Sequence, residues 1–239
     1  MKHQQGHVAE IIRLAKELSI SVSEEDAQAL LDHLVWLIET NRTHNLTSIT
    51  DLGEGMRLHI VDSAAALPEI DGAPDGDLLD IGTGGGFPGV PLAILTGRHA
   101  VLLDSVGKKV RLVAEYAESV GLEIDIAPIR AEEHASVAPG RYAVVVARAV
   151  SALPSIVELA APLLKNGGRF IALKGPISPE ELKRGDAAAK KCGMRRLSAR
   201  NLKLPQAHED RTIVAYEKVG PPLVRLPRRV GMAQKQPIA

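Results

Sequence analysis

The sequence has few cysteines and few aromatic residues, and both shortages exclude classes of site. Cys192 is the single cysteine among 239 residues, which excludes a disulfide framework and a thiolate metal cluster and is typical of a reducing compartment. Aromatic residues make up 3% of the chain, so the core must be aliphatic, and an RNA surface built on a row of stacking rings is excluded. The histidines show no metal-ligand spacing, and we therefore predict no metal site.

Net charge and long apolar runs are also missing. The 29 Lys and Arg residues balance 29 Asp and Glu residues, so the chain as a whole carries no charge signal for a nucleic-acid partner. The start, MKHQQGHVAE, lacks the apolar core of a signal peptide, and no apolar run approaches the roughly 20 residues of a membrane span. We expect a cytoplasmic globular protein with no membrane partner.

The first seventy residues have a helical pattern. Apolar residues recur at three- and four-residue steps in two segments before residue 40, and Ser23, with Asp26 three residues later, resembles a capping box that starts the second helix. A third helix is predicted over residues 54–67. Turn residues at 71–76 then mark a boundary. The pattern predicts an N-terminal helical domain over residues 1–70.

Beyond this boundary, short apolar runs alternate with helical patterns. The predicted strands cover residues 77–81, 100–104, 123–128, 142–148, 169–174, 197–204 and 212–218. The predicted helices cover residues 89–96, 108–120 and 151–164. Because runs such as Val144–Val146 are apolar on both faces, we expect a doubly wound, mostly parallel α/β sheet covered by helices on both sides. This Rossmann-like domain is predicted over residues 71–220, and an extended Pro- and Arg-rich tail over 221–239.

A glycine-rich loop, DIGTGGGFPG at residues 80–89, follows the first predicted strand and leads into a helix. From Gly84 onward it satisfies the G-x-G-x-x-G dinucleotide pattern, which keeps an NAD-dependent oxidoreductase open as an alternative. The glycine that closes the strand is Gly82, however, and counted from it the third position falls on Phe87. A carboxylate at Asp80 would repel a pyrophosphate and suit a cationic, sulfonium-bearing cofactor. We predict that Asp80, Gly82 and Gly84 bind such a cofactor.

A second acid follows the next strand. Asp104 ends the apolar run Val101–Leu103, where a carboxylate can accept hydrogen bonds from both hydroxyls of a ribose. NAD would use this acid as well, so Asp104 indicates an adenosine without choosing the cofactor. A phosphate-binding P-loop is excluded because Gly107-Lys108 is followed by Lys109 instead of Ser or Thr.

These motifs carry a resemblance over nearly the whole chain. The chain resembles the class I S-adenosylmethionine-dependent methyltransferases, and it is similar in particular to the bacterial 16S ribosomal RNA guanine-N7 methyltransferases of the glucose-inhibited division protein B family. The matching segments are residues 45–48, 59–63, 80–91, 103–109, 148–149, 172–175 and 227–237. The resemblance implies S-adenosyl-L-methionine as the cofactor and 16S ribosomal RNA or the small ribosomal subunit as the partner. We expect a monomer.

The resemblance also implies roles for single residues. Gly82 and Phe87 would line the cofactor pocket, Asp104 would hold the ribose, and Ala131 with Glu132 would lie at the adenine. The RNA side would include Arg211, and the matching segments add Lys174 and Asn45, although the residue type of Asn45 is equally typical of a turn or cap. A non-catalytic small-subunit assembly factor that keeps the fold remains an alternative.

Arg148 is the predicted catalytic residue, and the resemblance places it at the mouth of the site, near cofactor and substrate. Guanine N7 has an unprotonated lone pair, so attack on a sulfonium methyl group needs positioning and no general base. Arg148 can donate two hydrogen bonds to guanine O6 or to a phosphate. The alternative is a structural arginine that pairs with Asp80 or with the cofactor carboxylate.

The zero net charge hides two opposed regions. Residues 183–239 hold 14 Lys and Arg residues against 4 Asp and Glu residues, which leaves 15 basic against 25 acidic residues before them. We therefore predict a phosphate-contacting surface in the C-terminal third, including Arg228 and Arg229. A charge run of this kind is equally typical of a solvated face.

Overall fold

The computed structural model describes residues 2–206 and 209–239, so Met1, the first residue of the predicted helical domain, lies outside them. Seven strands form one sheet in the order β3-β2-β1-β4-β5-β7-β6. The strands are β1 (Leu78–Ile81), β2 (Ala100–Leu103), β3 (Ile124–Ala127), β4 (Tyr142–Arg148), β5 (Leu164–Lys174), β6 (Met194–Lys203) and β7 (Asp210–Lys218).

Eleven α-helical segments lie within the described residues. They are α1 (Lys2–Glu17), α2 (Glu24–His44), α3 (Leu52–Gly55), α4 (Asp62–Ala64), α5 (Leu67–Ile70), α6 (Gly89–Thr96), α7 (Gly107–Ser119), α8 (Ala131–Val137), α9 (Leu153–Ala160), α10 (Pro179–Lys191) and α11 (Met232–Lys235). The predicted helix 89–96 has the observed bounds, because left-handed Gly97 ends it. Helices α8 and α10 were not predicted from the sequence.

The sheet has the predicted doubly wound order. Strands β1 to β5 run parallel to one another, whereas β7 pairs antiparallel with β5 and β6 pairs antiparallel with β7 at the edge. The direction of winding reverses between β1 and β4, and the crevice beyond the carboxyl ends of such strands is where an open α/β sheet binds its ligand. The sheet therefore places the ends of β1, β2 and β4 around one crevice.

Both faces of the sheet are buried, which explains why the central strands are apolar throughout. In β4, Val145 and Ala147 pack into a cluster with α9 and α10, while Val144 and Val146 pack on the opposite face against α6. The few aromatic residues divide between two places. Tyr142, Phe170 and Tyr216 lie in the first of these clusters, and Trp36, Phe87 and Tyr116 lie beside the N-terminal helices.

The N-terminal helices pack directly onto the glycine loop and α6. Ser23 caps α2 by accepting a hydrogen bond from the Asp26 backbone N–H at 3.0 Å, as its spacing predicts. The predicted third helix begins earlier, at Leu52 after the cap Asp51, and is π-helical over Met56–Val61. This π-helical segment widens the turn that faces the end of β4, and such segments are frequent at functional sites.

The predicted extended tail is wrong in its last part. Residues after Arg228 fold back against the sheet domain and include the short helix α11. Ala233 in this helix is 1% exposed and packs into the same core cluster as α9 and α10. The physical reason is burial: the apolar residues of the tail find a core surface, which charge composition alone does not show.

Candidate active site

The glycine loop covers the carboxyl end of β1 and leaves two of its glycines partly exposed. Gly82 donates its N–H to the Leu103 carbonyl at 2.7 Å and has a φ of +75°. A Cβ there would lie 2.7 Å from Val150 Cγ2. Gly84 has a φ of +57°, and an added Cβ would meet no atom within 4 Å. Gly84 therefore offers open backbone surface, and both positions need a residue that tolerates left-handed geometry.

The other three loop glycines pack against the protein itself. A Cβ on Gly85 would overlap the Leu37 side chain of α2, and one on Gly86 would lie 3.0 Å from His33 Nε2. A Cβ on Gly89 would lie 2.5 Å from Leu102 Cδ2. The glycine-rich sequence thus serves close packing of the N-terminal helices and the sheet as much as access for a ligand.

Asp80 is buried beneath the glycine loop, where it accepts a hydrogen bond from the loop backbone, and it does not reach the crevice. Its side chain is fully buried, and Oδ2 accepts a hydrogen bond from the Gly89 N–H at 2.8 Å. Burial raises the pKa of Asp80 to about 6, against the lowering effect of the Gly89 hydrogen bond. The predicted direct contact between Asp80 and a cofactor is therefore corrected: the carboxylate fixes the start of α6.

Phe87 is likewise turned inward, although it was expected to line the cofactor pocket. Its ring is 4% exposed and stacks with His33 at 4.5 Å and with His59 at 4.6 Å between ring centroids. Trp36 and Tyr116 extend the stack on the His33 side. The ring joins the N-terminal helices to the glycine loop, and stacking on the two histidines removes it from the open surface.

A first pocket opens beside the exposed face of the loop. Its lining residues come from the ends of β1, β2 and β4, from α8 and from the tail; they are Ile81, Gly82, Leu103, Asp104, Ser105, Ile129, Arg130, Ala131, Glu132, Ala149, Val150, Leu159, Gly231 and Gln234. Asp104 accepts from the Gly84 N–H at 3.0 Å through Oδ2 and from the Val106 N–H at 2.8 Å through Oδ1. These bonds hold the carboxylate at the rim, and each oxygen keeps a further lone pair for a ligand hydroxyl.

A second pocket, with more charged side chains in its lining, lies on the other side of β4. It is lined by Ser48, Ile49, Glu54, Leu58, His59, Asp62, Arg148, Ala149, Leu173, Lys174, Gly175, Glu209 and Arg211. Ala149 lines both pockets, so they meet there. Its φ of +55° is uncommon for a residue with a side chain. Backbone strain of this kind tends to occur at functional sites.

Arg148 lies in the second pocket and is held by the π-helical segment. Its NH1 donates to the Leu58 carbonyl at 3.0 Å and to Asp62 Oδ2 at 3.2 Å. Asp62 Oδ1 in turn accepts from Arg211 Nε at 3.0 Å, and Arg211 also pairs with Glu209. One buried carboxylate thus orients two guanidinium groups toward the same pocket. The partner of Arg148 is Asp62 rather than Asp80.

His59 is held in one tautomer beside this network. Arg148 NH2 can only donate, so His59 Nδ1 accepts this bond at 3.2 Å. Nε2 therefore carries the proton and donates to Thr47 Oγ1 at 2.9 Å. Burial, with the charge of Arg148 adding to it, lowers the pKa of His59 to about 3. His59 is a neutral packing residue with both ring nitrogens engaged, which does not suit it to proton transfer.

Comparisons with known proteins identify the family. The model of the rRNA small subunit methyltransferase G family matches residues 26–213. The chain belongs to this family. The ribosomal RNA small subunit methyltransferases G of Deinococcus deserti and Deinococcus radiodurans are 39% and 40% identical to it; the alignments cover 94% and 95% of this chain and 96% and 90% of those proteins. The alternatives of an NAD-dependent oxidoreductase and a non-catalytic assembly factor find no support in these relatives.

Solved structures of methyltransferases share the fold at low sequence identity. A geranyl diphosphate C-methyltransferase from Streptomyces coelicolor has a TM-score of 0.58 at 12% identity, covering 70% of this chain and 80% of that one. A SAM-dependent methyltransferase from Leishmania major has a TM-score of 0.57 at 17% identity, covering 77% and 83%. The predicted class I methyltransferase fold is confirmed.

In this member of the family, the predicted RNA-side residues do not all meet. Lys174 lines the second pocket with Arg211, and its Nζ donates to the Ser151 carbonyl at 2.8 Å and pairs with Glu181 at 2.9 Å. Asn45 lines neither pocket; it ends α2 in a left-handed conformation, with a φ of +47°. Asn45 is thus the C-cap of α2, and its side chain is exposed.

Five of the fourteen basic side chains of residues 183–239 pair with acids; they are Arg195, Arg196, Arg200, Arg211 and Arg228. Arg228 makes two 2.6 Å bonds to Glu158, which is 3% exposed, so part of the charge predicted to contact phosphate is used within the protein. Arg200 pairs in the same two-bond manner with Glu69. Arg229 is exposed and has no side-chain partner within the described part of the chain. The ion pairs therefore neutralise a minority of the basic side chains in this region.

Two absences apply to the described residues alone. Across residues 2–206 and 209–239, no group of three or more His, Cys, Asp or Glu side chains is arranged to hold a metal ion. Over the same ranges, no helix combines the length and the apolar character needed to cross a membrane.

Sequence reasoning missed several residues that shape the two pockets. Asp62 and Glu209 orient the arginines, Ala149 joins the pockets, and Gly231 with Gln234 adds the wall of the first pocket. Asp62 lies within a segment that carried the family resemblance, and this was the available signal. The tail residues gave none beyond their place in the matching C-terminal segment.

Proposed function

We propose that this protein transfers the methyl group of S-adenosyl-L-methionine to N7 of a guanine in 16S ribosomal RNA. The observation that carries the proposal is the meeting of two unlike pockets at Ala149. One has a rim carboxylate suited to a ribose, and the other holds two oriented arginines. Family membership supplies the reaction class.

The residues of the first pocket fit the proposed cofactor. Asp104 has lone pairs left for the two ribose hydroxyls, and Gly82 and Gly84 offer backbone without side chains next to it. Ala131 and Glu132 lie further along the same pocket, at the end where the adenine would lie. S-adenosyl-L-methionine supplies an electrophilic methyl group on a sulfonium when bound.

The second pocket would hold the guanine. Arg148 and Arg211 present fixed positive charge, which suits guanine O6 and the adjacent phosphates. Guanine N7 attacks through its own lone pair, so the protein has to hold N7 in line with the methyl group, roughly 3 to 3.5 Å away, and exclude water. Neutral His59 and ion-paired Asp62 match a site that positions the base without removing a proton.

Finer points of the proposal concern the partner and the state of the enzyme. We propose the small ribosomal subunit or its 16S RNA as the substrate, with Arg211, Lys174 and Arg229 on the RNA side. A substrate of this kind puts the enzyme in the cytoplasm. We further propose that it acts as a monomer, with Arg148 as the catalytic residue that contacts the base.

The test combines binding with mapping of the product. Calorimetry should show binding of S-adenosyl-L-homocysteine and none of NAD. Small subunits from cells lacking the protein, incubated with purified enzyme and methyl-labelled cofactor, should gain one 7-methylguanosine that mass spectrometry maps to a single position. Arg148→Met should abolish the label and retain cofactor binding, because Arg148 lines the other pocket. A label on any atom other than guanine N7, or binding of NAD in place of S-adenosyl-L-homocysteine, would refute the proposal.

A further inference from the structure

Residues 228–236, named here the C-terminal strap, are attached to the core by the ion pair Arg228–Glu158. This ion pair is named here the clasp. Arg228 Nε and NH2 each donate to one oxygen of Glu158 at 2.6 Å, and NH2 also donates to the Gln236 carbonyl at 2.7 Å. Glu158 lies on α9 and is 3% exposed, whereas the Arg228 side chain is 26% exposed. A buried carboxylate held by two charge-assisted bonds fixes the geometry of both partners.

The strap continues from this clasp to the rim of the first pocket. The Gly231 N–H donates to Glu132 Oε1 at 2.8 Å, and its φ of +80° turns the chain into α11. Gly231 and Gln234 line the pocket together with Ala131 and Glu132. Glu132, which is expected at the adenine, is therefore held by the strap. The strap also supplies part of the pocket wall beside Glu132.

Further contacts, beyond the clasp, hold the strap against the core. Ala233 is buried in the core cluster that holds α9 and α10. Farther on, Lys191 Nζ donates to the Ile238 carbonyl at 2.7 Å, and Ile238 packs against the same cluster. Because these contacts come from three helices, the strap has one defined position over the pocket.

We propose that the C-terminal strap is part of the cofactor site: Gly231 and Gln234 bound the adenine end of the first pocket, and the Arg228–Glu158 pair holds them there. The inference rests on the proposed function, since it takes the first pocket to be the cofactor pocket. The side-chain amide of Gln234 has one donor and one acceptor group, which match the amino group and a ring nitrogen of adenine. The strap thus turns part of a charged tail into a positioning element for the cofactor.

Three substitutions in the 239-residue chain separate this role from RNA binding. Arg228→Met breaks the clasp and leaves Glu158 buried without its partner, Gln234→Ala removes the amide from an exposed side chain, and Arg229→Met is the matched control next to the clasp. Calorimetry with S-adenosyl-L-homocysteine measures cofactor affinity, filter binding with small subunits measures RNA affinity, and thermal melting reports folding.

We expect Arg228→Met and Gln234→Ala each to weaken binding of S-adenosyl-L-homocysteine by at least about fivefold, with the affinity for small subunits unchanged. Arg229→Met should show the reverse pattern. If Arg228→Met also lowers the melting temperature, Gln234→Ala decides the matter, because its exposed amide makes no contact that folding needs. Wild-type affinity in both strap variants would overturn the inference while leaving the proposed function standing. If the wild-type protein does not bind S-adenosyl-L-homocysteine, both the proposed function and the proposed role of the strap are overturned.

Discussion

Asp62 accepts a hydrogen bond from Arg211 across 149 residues of sequence, with 3.0 Å between Oδ1 and Nε. The other oxygen of the same carboxylate accepts from Arg148 at 3.2 Å. Asp62 is 3% exposed, so the two guanidinium groups share one buried anchor. Such an anchor fixes the direction in which each arginine presents its remaining donors.

Asp62→Asn is therefore expected to impair methyl transfer without impairing cofactor binding. An asparagine can accept from one arginine but places an amide donor toward the other, so the two guanidinium groups lose their common orientation. We expect kcat to fall at least about tenfold, since a misplaced positioning group raises the barrier by more than about 1.4 kcal/mol. Glu209→Gln is the comparison variant: Glu209 contacts Arg211 from an exposed position and its replacement leaves the Asp62 anchor intact, so kcat should fall less. Unchanged kcat in Asp62→Asn would contradict the positioning role.

Two acids near the loop are expected to respond differently to the same change. Asp104→Asn should weaken S-adenosyl-L-homocysteine binding at least about tenfold, because the amide group would face the N–H of Gly84 or Val106 and leave a donor unpaired. Asp80→Asn should change the affinity less, since that side chain lies under the loop with no exposed surface. Calorimetry on both variants measures the difference, and a larger loss in Asp80→Asn would show that the buried acid dominates.

Strands and the loop were predictable because their signals are local. Apolar runs bounded by turn residues placed every strand of the sheet to within five residues at each end, and a left-handed glycine fixed the end of α6. The glycine motif also located the crevice, because the position of a ligand in an open α/β sheet follows from topology. The fold class and the region of the site could therefore be derived from the sequence.

Side-chain direction could not be predicted, because it depends on distant partners. Phe87 belongs to the same motif as Gly82, yet the N-terminal helices bring His33 against its ring and bury it. Arg228 looked like part of a charge run, and its partner Glu158 lies 70 residues earlier, in a helix with no other charged residue. A motif specifies which residue types are present and leaves open which of them the rest of the chain covers.

Gly85 is expected to matter for stability through its contact with Leu37. Gly85→Ala should lower the free energy of unfolding by about 1 to 3 kcal/mol, because the new methyl group would overlap a side chain that is itself fully buried. Urea unfolding measures the change. In the double variant with Leu37→Ala the space is restored, so the combined loss should be smaller than the sum of the two single losses. Additive losses would contradict the contact.

The histidines under the loop are expected to make stability depend on pH. Burial lowers the pKa of His33 to about 3, although its hydrogen bond to the Gly85 carbonyl acts in the opposite direction. The unfolded chain binds a proton near pH 6.5 and the folded chain does not, so the stability contribution of His33 is complete above that pH and is lost as the pH falls toward 3. Between pH 7 and pH 5 this single residue should remove about 2 kcal/mol.

His33→Gln tests this, because a glutamine amide can still donate to the Gly85 carbonyl and does not titrate. Urea unfolding at pH 5 and at pH 7 should show a loss on acidification that is about 2 kcal/mol smaller in the variant than in the wild type. His44→Gln, at the less buried end of α2, should keep the wild-type difference. The subtraction between proteins also cancels Asp80, whose raised pKa acts with the opposite sign between about pH 4 and pH 6. Equal pH differences in His33→Gln and wild type would show that His33 is protonated in the fold or accessible to water.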